Sequence, residues 1–443
     1  MVTASKKRMP NIKTFTIERI RRLATEGAWI VFGQAATVVG ALVGVRLLTE
    51  LLDPSAYGEL GLGLTAGALI NQVILGPLSN GATRFYSSAQ EQEDVSGYLA
   101  GVRHLLLRAA GIIGLILLVV LAGLLATDQA SLIGIAVAVV IFALISGCNS
   151  ILSGIQNAAR QRSVVALHQA AETWARFLLA AAFIHTLHAT SVMAVWGYVA
   201  GSILIFSSQY GYFRKTIYVC RASAARTDWQ DKMWKYSWPF GAWGIFTGLQ
   251  IASDRWALGD FATTQEVGFY VVLYQLGYYP ISMATGMAMQ FLAPILYERV
   301  GDAQDNLRNE NAYKITWLLT ACALALTCFI SLFAFAFNRQ IFSIFVAAEY
   351  DSVSNLLPWM ILSGGIFAAG QTITLNLMSL MKTETMMRAK ILTALLGIIL
   401  NCVGAYWFGT VGVVLAGVVF SLSYLVWIAI LSRKLQQEVI IKP

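Results

Sequence analysis

Charged residues are scarce in this chain: Asp, Glu, Lys and Arg make up only 12% of its 443 residues. A soluble domain carries about 25% charged residues, so this chain has too few to cover a surface that faces water. Proline is scarce as well, with eight residues, whereas 57% of the chain is hydrophobic and the mean hydropathy is +0.66. This composition predicts an all-α integral membrane protein whose outer surface is covered by lipid.

Motifs for common enzyme chemistry are also missing. The sequence has no Walker A loop, no GxGxxG in a βαβ setting, no HExxH and no pair of acids in a loop. The five cysteines are odd in number and form no CxxC pair, so we expect neither a metal site nor a disulfide framework. We therefore expect a protein that is not an enzyme and has no cofactor. Any transport has to draw on a gradient of H+ or Na+, on the membrane potential or on downstream consumption of the substrate.

The basic residues are distributed unevenly along the chain. A net charge of +8 would suggest a nucleic-acid partner for a soluble protein, but here it follows the positive-inside rule. About twelve apolar runs are long enough to cross ~30 Å of hydrocarbon, which places both termini on the same side. All but four of the 31 lysines and arginines, including Arg84 and Lys390, fall in the termini or in loops on that side. The pattern predicts cytoplasmic termini in a bacterial inner membrane and no nucleic-acid partner.

The two halves of the chain repeat each other. Residues 46–58 (RLLTELLDPSAYG) align with residues 255–268 (RWALGDFATTQEVG), and residues 82–86 (ATRFY) align with residues 293–297 (APILY). Parallel repeats related by a pseudo-two-fold axis along the membrane normal are a transporter architecture with the substrate site between the halves. The predicted organisation is a basic amphipathic N-terminal segment (1–23), a six-helix lobe (24–213), a cytoplasmic linker (214–235), a second six-helix lobe (236–431) and a cytoplasmic tail (432–443).

Three arginines fall within predicted spans. A charge at the centre of a bilayer costs at least ~2.5–3.5 kcal/mol, so it normally faces a cavity or a partner. Arg46 and Arg255 occupy matched positions in the two halves. They either extend toward the nearby interface or face a shared cavity, where two guanidinium groups could hold a phosphate-bearing ligand. Asp254 precedes Arg255 but is predicted to point to another side of the helix, so it need not neutralise Arg255.

The fifth predicted span carries His168, Glu172 and Arg176 at positions i, i+4 and i+8. This spacing places all three side chains on one face of a helix. One interpretation is a structural pair of Glu172 and Arg176 that fixes the helix in its bundle. The other is that Arg176 contributes to an anionic site while Glu172 or His168 takes up a proton or a sodium ion.

The chain resembles the Wzx-type polysaccharide flippases of the MOP superfamily, which also contains the MATE-type exporters and the lipid II flippases. The resemblance is carried by residues 46–58, by residues 81–86 (GATRFY) and by the stretch from Tyr350 to the Leu-Leu-Pro at 356–358. It implies two lobes with alternating access that move an undecaprenyl-pyrophosphate-linked oligosaccharide from the cytoplasmic to the periplasmic leaflet for surface polysaccharide synthesis. Membrane lipids, a polysaccharide polymerase and export machinery are the implied partners.

The resemblance also assigns roles to individual residues. Arg46, Arg176 and Arg255 fit the cationic cavity that it implies, and Asp254 joins Glu172 and His168 as a candidate coupling group. Arg84 matches a basic residue that follows the second span, where it either gates the cytoplasmic entrance or simply obeys the positive-inside rule.

Two other functions remain open from the sequence. A MATE-type antiporter for organic cations shares the fold but should have membrane carboxylates that are not paired with arginine, whereas Glu172 lies one turn from Arg176. A membrane enzyme that polymerises or ligates lipid-linked glycans should have a large periplasmic loop, and no such loop is present.

Overall fold

The computed structural model describes residues 12–216, 228–300, 305–380 and 383–441, and these residues are almost entirely helical. The first half contains α1 (Ile12–Leu51), α2 (Pro54–Ile70), α3 (Gly76–Glu91), α4 (Val95–Ala126), α5 (Ile133–Ala158), α6 (Arg162–Thr186) and α7 (Ser191–Thr216). The second half contains α8 (Trp229–Phe261), α9 (Thr264–Leu273), α10 (Tyr279–Val300), α11 (Asn306–Phe345), α12 (Leu357–Ser379) and α13 (Thr383–Ile441). Short 3₁₀ turns span Ala130–Leu132 and Ala348–Leu356.

Several of these helices are suited to a bilayer. Within the described ranges, eight helices are long and apolar enough to span a membrane. One of the eight runs through α13, where Gly409 interrupts the helical geometry. Gly404 and Gly412 are in backbone contact across this point, so α13 folds back into two antiparallel arms. With the arms counted separately and α2–α3 and α9–α10 counted as continuous helices, the described chain is consistent with twelve spans.

The helix bounds differ from the predicted segments at three places. The described part of the basic segment 1–23 continues directly into the first span, because α1 begins at Ile12 without a break. The linker 214–235 is shorter than predicted, since α7 ends at Thr216 and α8 begins at Trp229. The tail 432–443 is an extension of α13 as far as Ile441. Residues 1–11, 217–227 and 442–443 lie outside the described residues.

The second span of each half begins in the same way. Asp53 caps α2 by accepting a hydrogen bond from the Ala56 amide (2.7 Å), and Thr263 caps α9 by accepting one from the Glu266 amide (3.2 Å). A side-chain oxygen at this position satisfies an amide that the first turn leaves without a partner. The two caps occupy equivalent places in the repeat, and each fixes the point where the chain turns back into the bilayer.

Both second spans also contain a π-helical segment at the same place. Asn71–Leu75 joins α2 to α3, and Tyr274–Tyr278 joins α9 to α10. Each segment ends two residues before a proline, Pro77 or Pro280. The wider turn accommodates the proline ring, which would otherwise clash with the carbonyl four residues earlier. The second spans of the two halves therefore carry matched π segments ahead of matched prolines.

The two halves meet where α2 crosses α9. Gly58 lies against the backbone carbonyl of Thr264, and Gly268 lies against the backbone carbonyl of Pro54. Each contact is the counterpart of the other under the repeat. The Ser55 and Thr264 hydroxyls form a hydrogen bond across the crossing (2.7 Å). Glycine is required at both positions because any side chain would separate the two backbones.

Another contact between the halves lies at the start of α8. Trp229 at the start of α8 is 2% exposed and donates a hydrogen bond from Nε1 to Asp94 Oδ2 at the start of α4 (2.8 Å). Its ring packs against Tyr98, and the neighbouring Met233 is buried among residues of α3 and α4. The first turns of α8 are therefore anchored in the first half, and the helix continues along it, with Gly244 close to the backbone carbonyl of Gln72.

Gly409 offers a direct test of the reversal in α13. Its φ of +56° and ψ of −136° lie in a region that residues other than glycine avoid. The Glu266 carboxylate also lies where a side chain at this position would begin. We expect Gly409→Ala to destabilise the protein by about 1–3 kcal/mol, measured as a lower unfolding temperature in detergent. Gly123→Ala is the control, because Gly123 has open space around it. Equal unfolding temperatures for the two variants would contradict the reversal.

Candidate functional site

A buried acid–arginine pair lies inside the second half. The side chains of Asp254 and Arg255 in α8 are 11% and 9% exposed, and Asp254 Oδ1 lies 3.3 Å from Arg255 Nη1. Tyr270 donates a hydrogen bond from its hydroxyl to Asp254 Oδ2 (2.6 Å). The guanidinium lies over the Tyr274 ring, with 4.3 Å from Cζ to the ring centroid, and it donates to the Ile251 carbonyl. Charge, hydrogen bonds and a cation–π contact thus compensate for burial.

The pairing of these two residues corrects one prediction. Asp254 was expected to point away from Arg255 because adjacent residues on a helix diverge. Its carboxylate instead turns back to accept a hydrogen bond from the Arg255 backbone amide (2.7 Å), which brings Oδ1 within reach of the guanidinium. Arg255 is therefore neutralised within its own helix.

The first half contains a corresponding pair on α6. Arg176 and Glu172 form an ion pair one helical turn apart, and their side chains are 23% and 13% exposed. Arg176 also donates from Nε to Ser202 (3.0 Å) and from Nη2 to Ser146 (3.1 Å). Glu172 accepts a further hydrogen bond from Asn149 (2.7 Å). The pair thus joins α5, α6 and α7, as the structural interpretation of the sequence requires.

Tyrosines lie within electrostatic range of both arginines. Arg176 is close enough to act electrostatically on Tyr198 of α7 and on Tyr279 at the start of α10 in the other half. Arg255 acts in the same way on Tyr57 of α2. Each guanidinium is thus within electrostatic range of the opposite half.

Arg46 lies elsewhere and has different partners. Its guanidinium is 35% exposed and pairs with Glu50 one turn along α1 (2.6 Å). It also donates to the carbonyls of Ser343 (3.0 Å) and Val346 at the end of α11. Nothing described places it in contact with Arg255 or Arg176. Arg46 thus links the two halves at the end of α11, where the unpaired carbonyls of a helix terminus favour a cation.

His168 and Arg84 form no described hydrogen bond or ion pair with either pair, although His168 lies one turn from Glu172 on α6. His168 bonds through Nδ1 to the Val164 carbonyl (2.8 Å) and through Nε2 to the Ser208 hydroxyl (3.3 Å). Because a carbonyl only accepts, this arrangement suits an imidazole with its proton on Nδ1. Arg84 is exposed on α3, beside the ring of Phe85 that packs against Trp229.

The sequence analysis missed a cavity inside the second half. It has a volume of about 280 Å³ and lies between α8, α9–α10, α12 and both arms of α13. Asp254 lines one part of it, and Lys390 lines another. Lys390 had been counted among the cytoplasmic charges, but it lies within the second half of the bundle. It lies about two turns after the start of α13, which the sequence pattern did not show.

Comparison with known protein families gives one match. The model of a family described as polysaccharide biosynthesis protein matches residues 23–299, which is more than half of the chain. No curated protein matches this sequence.

Several solved structures are similar over most of their length. The lipid II flippase MurJ in an inward closed conformation has a TM-score of 0.65 at 13% identity, covering 91% of this chain and 86% of that chain. An inward-facing multidrug resistance MATE family transporter of the MOP superfamily has a TM-score of 0.64 at 13% identity, covering 94% and 99%. A MATE transporter of Vibrio cholerae has a TM-score of 0.56 at 15% identity, covering 96% and 98%. At these identities the likeness concerns the fold, and it confirms the predicted all-α MOP/MATE-like architecture.

Proposed function

Because the chain belongs to the polysaccharide biosynthesis protein family, we propose that it flips a polyprenyl-pyrophosphate-linked oligosaccharide across a bacterial inner membrane. The related families are transporters, and this chain is a multi-pass membrane protein of the same fold. One observation carries the choice of substrate: Arg176 and Arg255 lie in predicted spans, one in each half, and each is within electrostatic range of the opposite half.

The physical problem of such a substrate matches this arrangement. A pyrophosphate headgroup with its glycan cannot enter ~30 Å of hydrocarbon alone, because removing its charges from water costs far more than burial of the lipid tail returns. Arginine is suited to replacing that hydration, since its planar fork binds phosphate oxygens two at a time. Nη1 of Arg176 makes no hydrogen bond to any described residue, so this guanidinium retains donors for a ligand.

The acid partners suggest how an ion gradient is coupled to transport. Glu172 and Asp254 each form an ion pair with an arginine, and the phosphate of the substrate would compete with these carboxylates for the guanidinium. A proton or sodium ion that neutralises the carboxylate frees the guanidinium for the substrate, so the ion and the substrate assist each other in binding. In this proposal Glu172 and Asp254 are the coupling groups, and His168 relays protons from the side of α7.

Direction and access follow from the predicted orientation. With both termini in the cytoplasm, exposed Arg84 lies at the cytoplasmic entrance, where it attracts the pyrophosphate. Arg46 acts at the opposite end, where its contacts with Ser343 and Val346 form or break as the lobes move. The product then becomes available to a polymerase and to the export machinery on the periplasmic side.

A MATE-type exporter of organic cations is the alternative, because the fold similarity does not distinguish the two functions. The family match favours a polysaccharide substrate. The site does so too, since both carboxylates of the two pairs are already neutralised by arginine. A free membrane carboxylate, which an organic cation would require, is absent from these two pairs.

Reconstituted transport tests the proposal. Purified protein in liposomes should move a fluorescent lipid-linked oligosaccharide between leaflets, measured by its loss of accessibility to an external glycosidase. Arg176→Lys should slow this movement about tenfold or more, because a hydrogen bond to a charged group contributes ~1.5–3 kcal/mol and lysine cannot reproduce the fork. Arg214→Lys, at an exposed position on α7, is the matched control and should transport normally.

Two results would overturn this function. Wild-type protein that moves no lipid-linked glycan but exports organic cations would establish the alternative. Equal transport rates for Arg176→Lys and Arg214→Lys would show that the guanidinium does not contact the substrate.

A further inference from the structure

The cavity in the second half differs from the region between the halves because one lobe supplies all of its lining residues. Its walls are five helical segments of that lobe, and its volume of about 280 Å³ is close to the lower end of the ~300–1,000 Å³ range for small-molecule sites. A cavity of this size accommodates one ring-sized group. It is too small for a whole oligosaccharide with its lipid.

Aromatic rings form one wall of this cavity. Phe367 of α12 lies at the centre, with ring centroids 5.0 Å from Tyr424, 5.8 Å from Phe420 and 6.2 Å from Tyr278. Tyr278 stacks in turn on Tyr274, at 5.0 Å with an angle of 16° between the rings. The result is a continuous aromatic surface with polar groups at its margin, which suits a ligand that has one apolar face and a hydroxylated edge.

Two polar groups of the lining lack partners. Tyr424 is 1% exposed, yet its hydroxyl makes no hydrogen bond within the described structure. Lys390 lines the same cavity, and the described residues offer its ammonium neither an ion pair nor a hydrogen bond. A buried hydroxyl without a partner is costly, and a half-buried ammonium that lines a cavity attracts an anion, so both groups fit a ligand that supplies the missing contacts. The missing partner of the Lys390 ammonium is therefore an anionic group.

The other charged group in the lining argues against a bound cation. Asp254 is already engaged by Arg255 and by the Tyr270 hydroxyl, so its charge is compensated inside the protein. A cation entering the cavity would meet a neutralised acid and an unpaired ammonium. An anion would meet the ammonium of Lys390 with no free carboxylate to repel it.

We propose that this cavity binds one sugar ring that carries an anionic substituent, a carboxylate or a phosphate. Lys390 pairs with the anionic group, the Tyr424 hydroxyl bonds to the ring edge, and Phe367 with its neighbours supports the apolar face of the ring. This inference rests on the proposed function, in which the ring is part of the transported glycan. It assigns to the second lobe the selection of acidic over neutral oligosaccharides.

Binding of single sugars to the full-length protein in nanodiscs tests the site. D-glucuronate, glucose 6-phosphate and D-glucose share a pyranose ring and differ in charge at the same carbon. Dissociation constants from saturation-transfer NMR should favour at least one anionic sugar over glucose by about tenfold, as expected for a hydrogen bond to a charged partner. Lys390→Met should remove this preference while weak glucose binding persists. Tyr424→Phe should raise the dissociation constants of all three sugars.

The controls separate this site from a nonspecific charge effect. Lys434→Met alters an exposed lysine of the same helix, α13, and should leave the preference unchanged. No preference in the wild type, or a preference that survives in Lys390→Met, would overturn the proposal. Inorganic phosphate that competes as well as glucose 6-phosphate would also overturn it, because the ring would then contribute nothing.

The outcome for the site can be distinguished from the outcome for the function. Transport of lipid-linked glycans without a Lys390-dependent preference would reject the sugar site and leave the flippase function intact. A Lys390-dependent preference in a protein that moves no lipid-linked glycan would reject the flippase function and retain the site.

Discussion

The Arg255→Met variant is expected to give little folded protein. The double variant Asp254→Asn with Arg255→Met should recover folding without recovering transport. Removing the arginine alone leaves the Asp254 carboxylate buried without its cation, which costs ~3–5 kcal/mol. In the double variant, the asparagine at position 254 still accepts the hydrogen bond from Tyr270 but carries no charge, and the apolar methionine fills part of the space of the arginine. Most of that penalty therefore disappears. The substrate, however, has lost a guanidinium in the second half.

Size-exclusion profiles and unfolding temperatures in detergent measure the folding part of this prediction, and the liposome assay measures transport. Arg214→Met is the control for loss of an exposed arginine. A single variant as stable as the wild type would show that the pair does not stabilise the lobe. A double variant with normal transport would remove Arg255 from the substrate pathway.

Gly58→Ala and Gly268→Ala should each force the halves apart where α2 crosses α9. Alanine normally stabilises a helix by ~0.5–1 kcal/mol relative to glycine. At these two positions the added methyl group would overlap a backbone carbonyl of the opposite helix, and such overpacking costs ~1–3 kcal/mol. The effect therefore has the opposite sign to helix propensity. It should favour the conformation that is open at this end.

Labelling of a cysteine at position 55 reports that opening. In a background without the native cysteines, Ser55→Cys should react faster with a membrane-impermeant maleimide when either glycine is replaced, because Ser55 lies in the crossing. Gly114→Ala is the matched control, since nothing lies near Gly114. If all three alanine variants label at one rate, the crossing does not hold the halves together.

The repeat made much of the fold predictable from the sequence. The alignment of residues 46–58 with 255–268 places Gly58 opposite Gly268, and these two glycines make the matched contacts of the crossing. Pro77 and Pro280 likewise occupy matching places after the two π segments. Such features follow from local sequence because each helix forms them in nearly the same way. Their pairing across the molecule follows from the duplication.

The site was predicted less completely because its partners are remote in sequence or depend on side-chain torsions. The acceptors of Arg46 are carbonyls about three hundred residues away at the end of α11, and a backbone carbonyl leaves no mark in a sequence. The contact between Asp254 and Arg255 arises from a carboxylate that folds back onto its own backbone. Glu172 and Arg176 were paired correctly because helical spacing alone brings them together.

Tyr350 shows how a residue that carries a family resemblance can serve the fold. It is fully buried, donates a hydrogen bond to the Leu52 carbonyl (3.2 Å) and packs edge-on against Tyr57. It thereby fills the junction of the two halves near the crossing of α2 and α9. A motif residue is therefore not evidence of substrate contact until its surroundings are known.

The burial of Trp229 and Met233 beside α3 and α4 restricts how a lipid can enter. Separating the halves on that flank would expose both side chains, at ~1.5–3 kcal/mol each, and would break the bond to Asp94. The opposite flank, where α1 faces α10, is held by few contacts. A long hydrocarbon chain attached to a polar cargo would therefore pass through one side of the molecule only, which makes its route asymmetric in a protein built from two similar lobes.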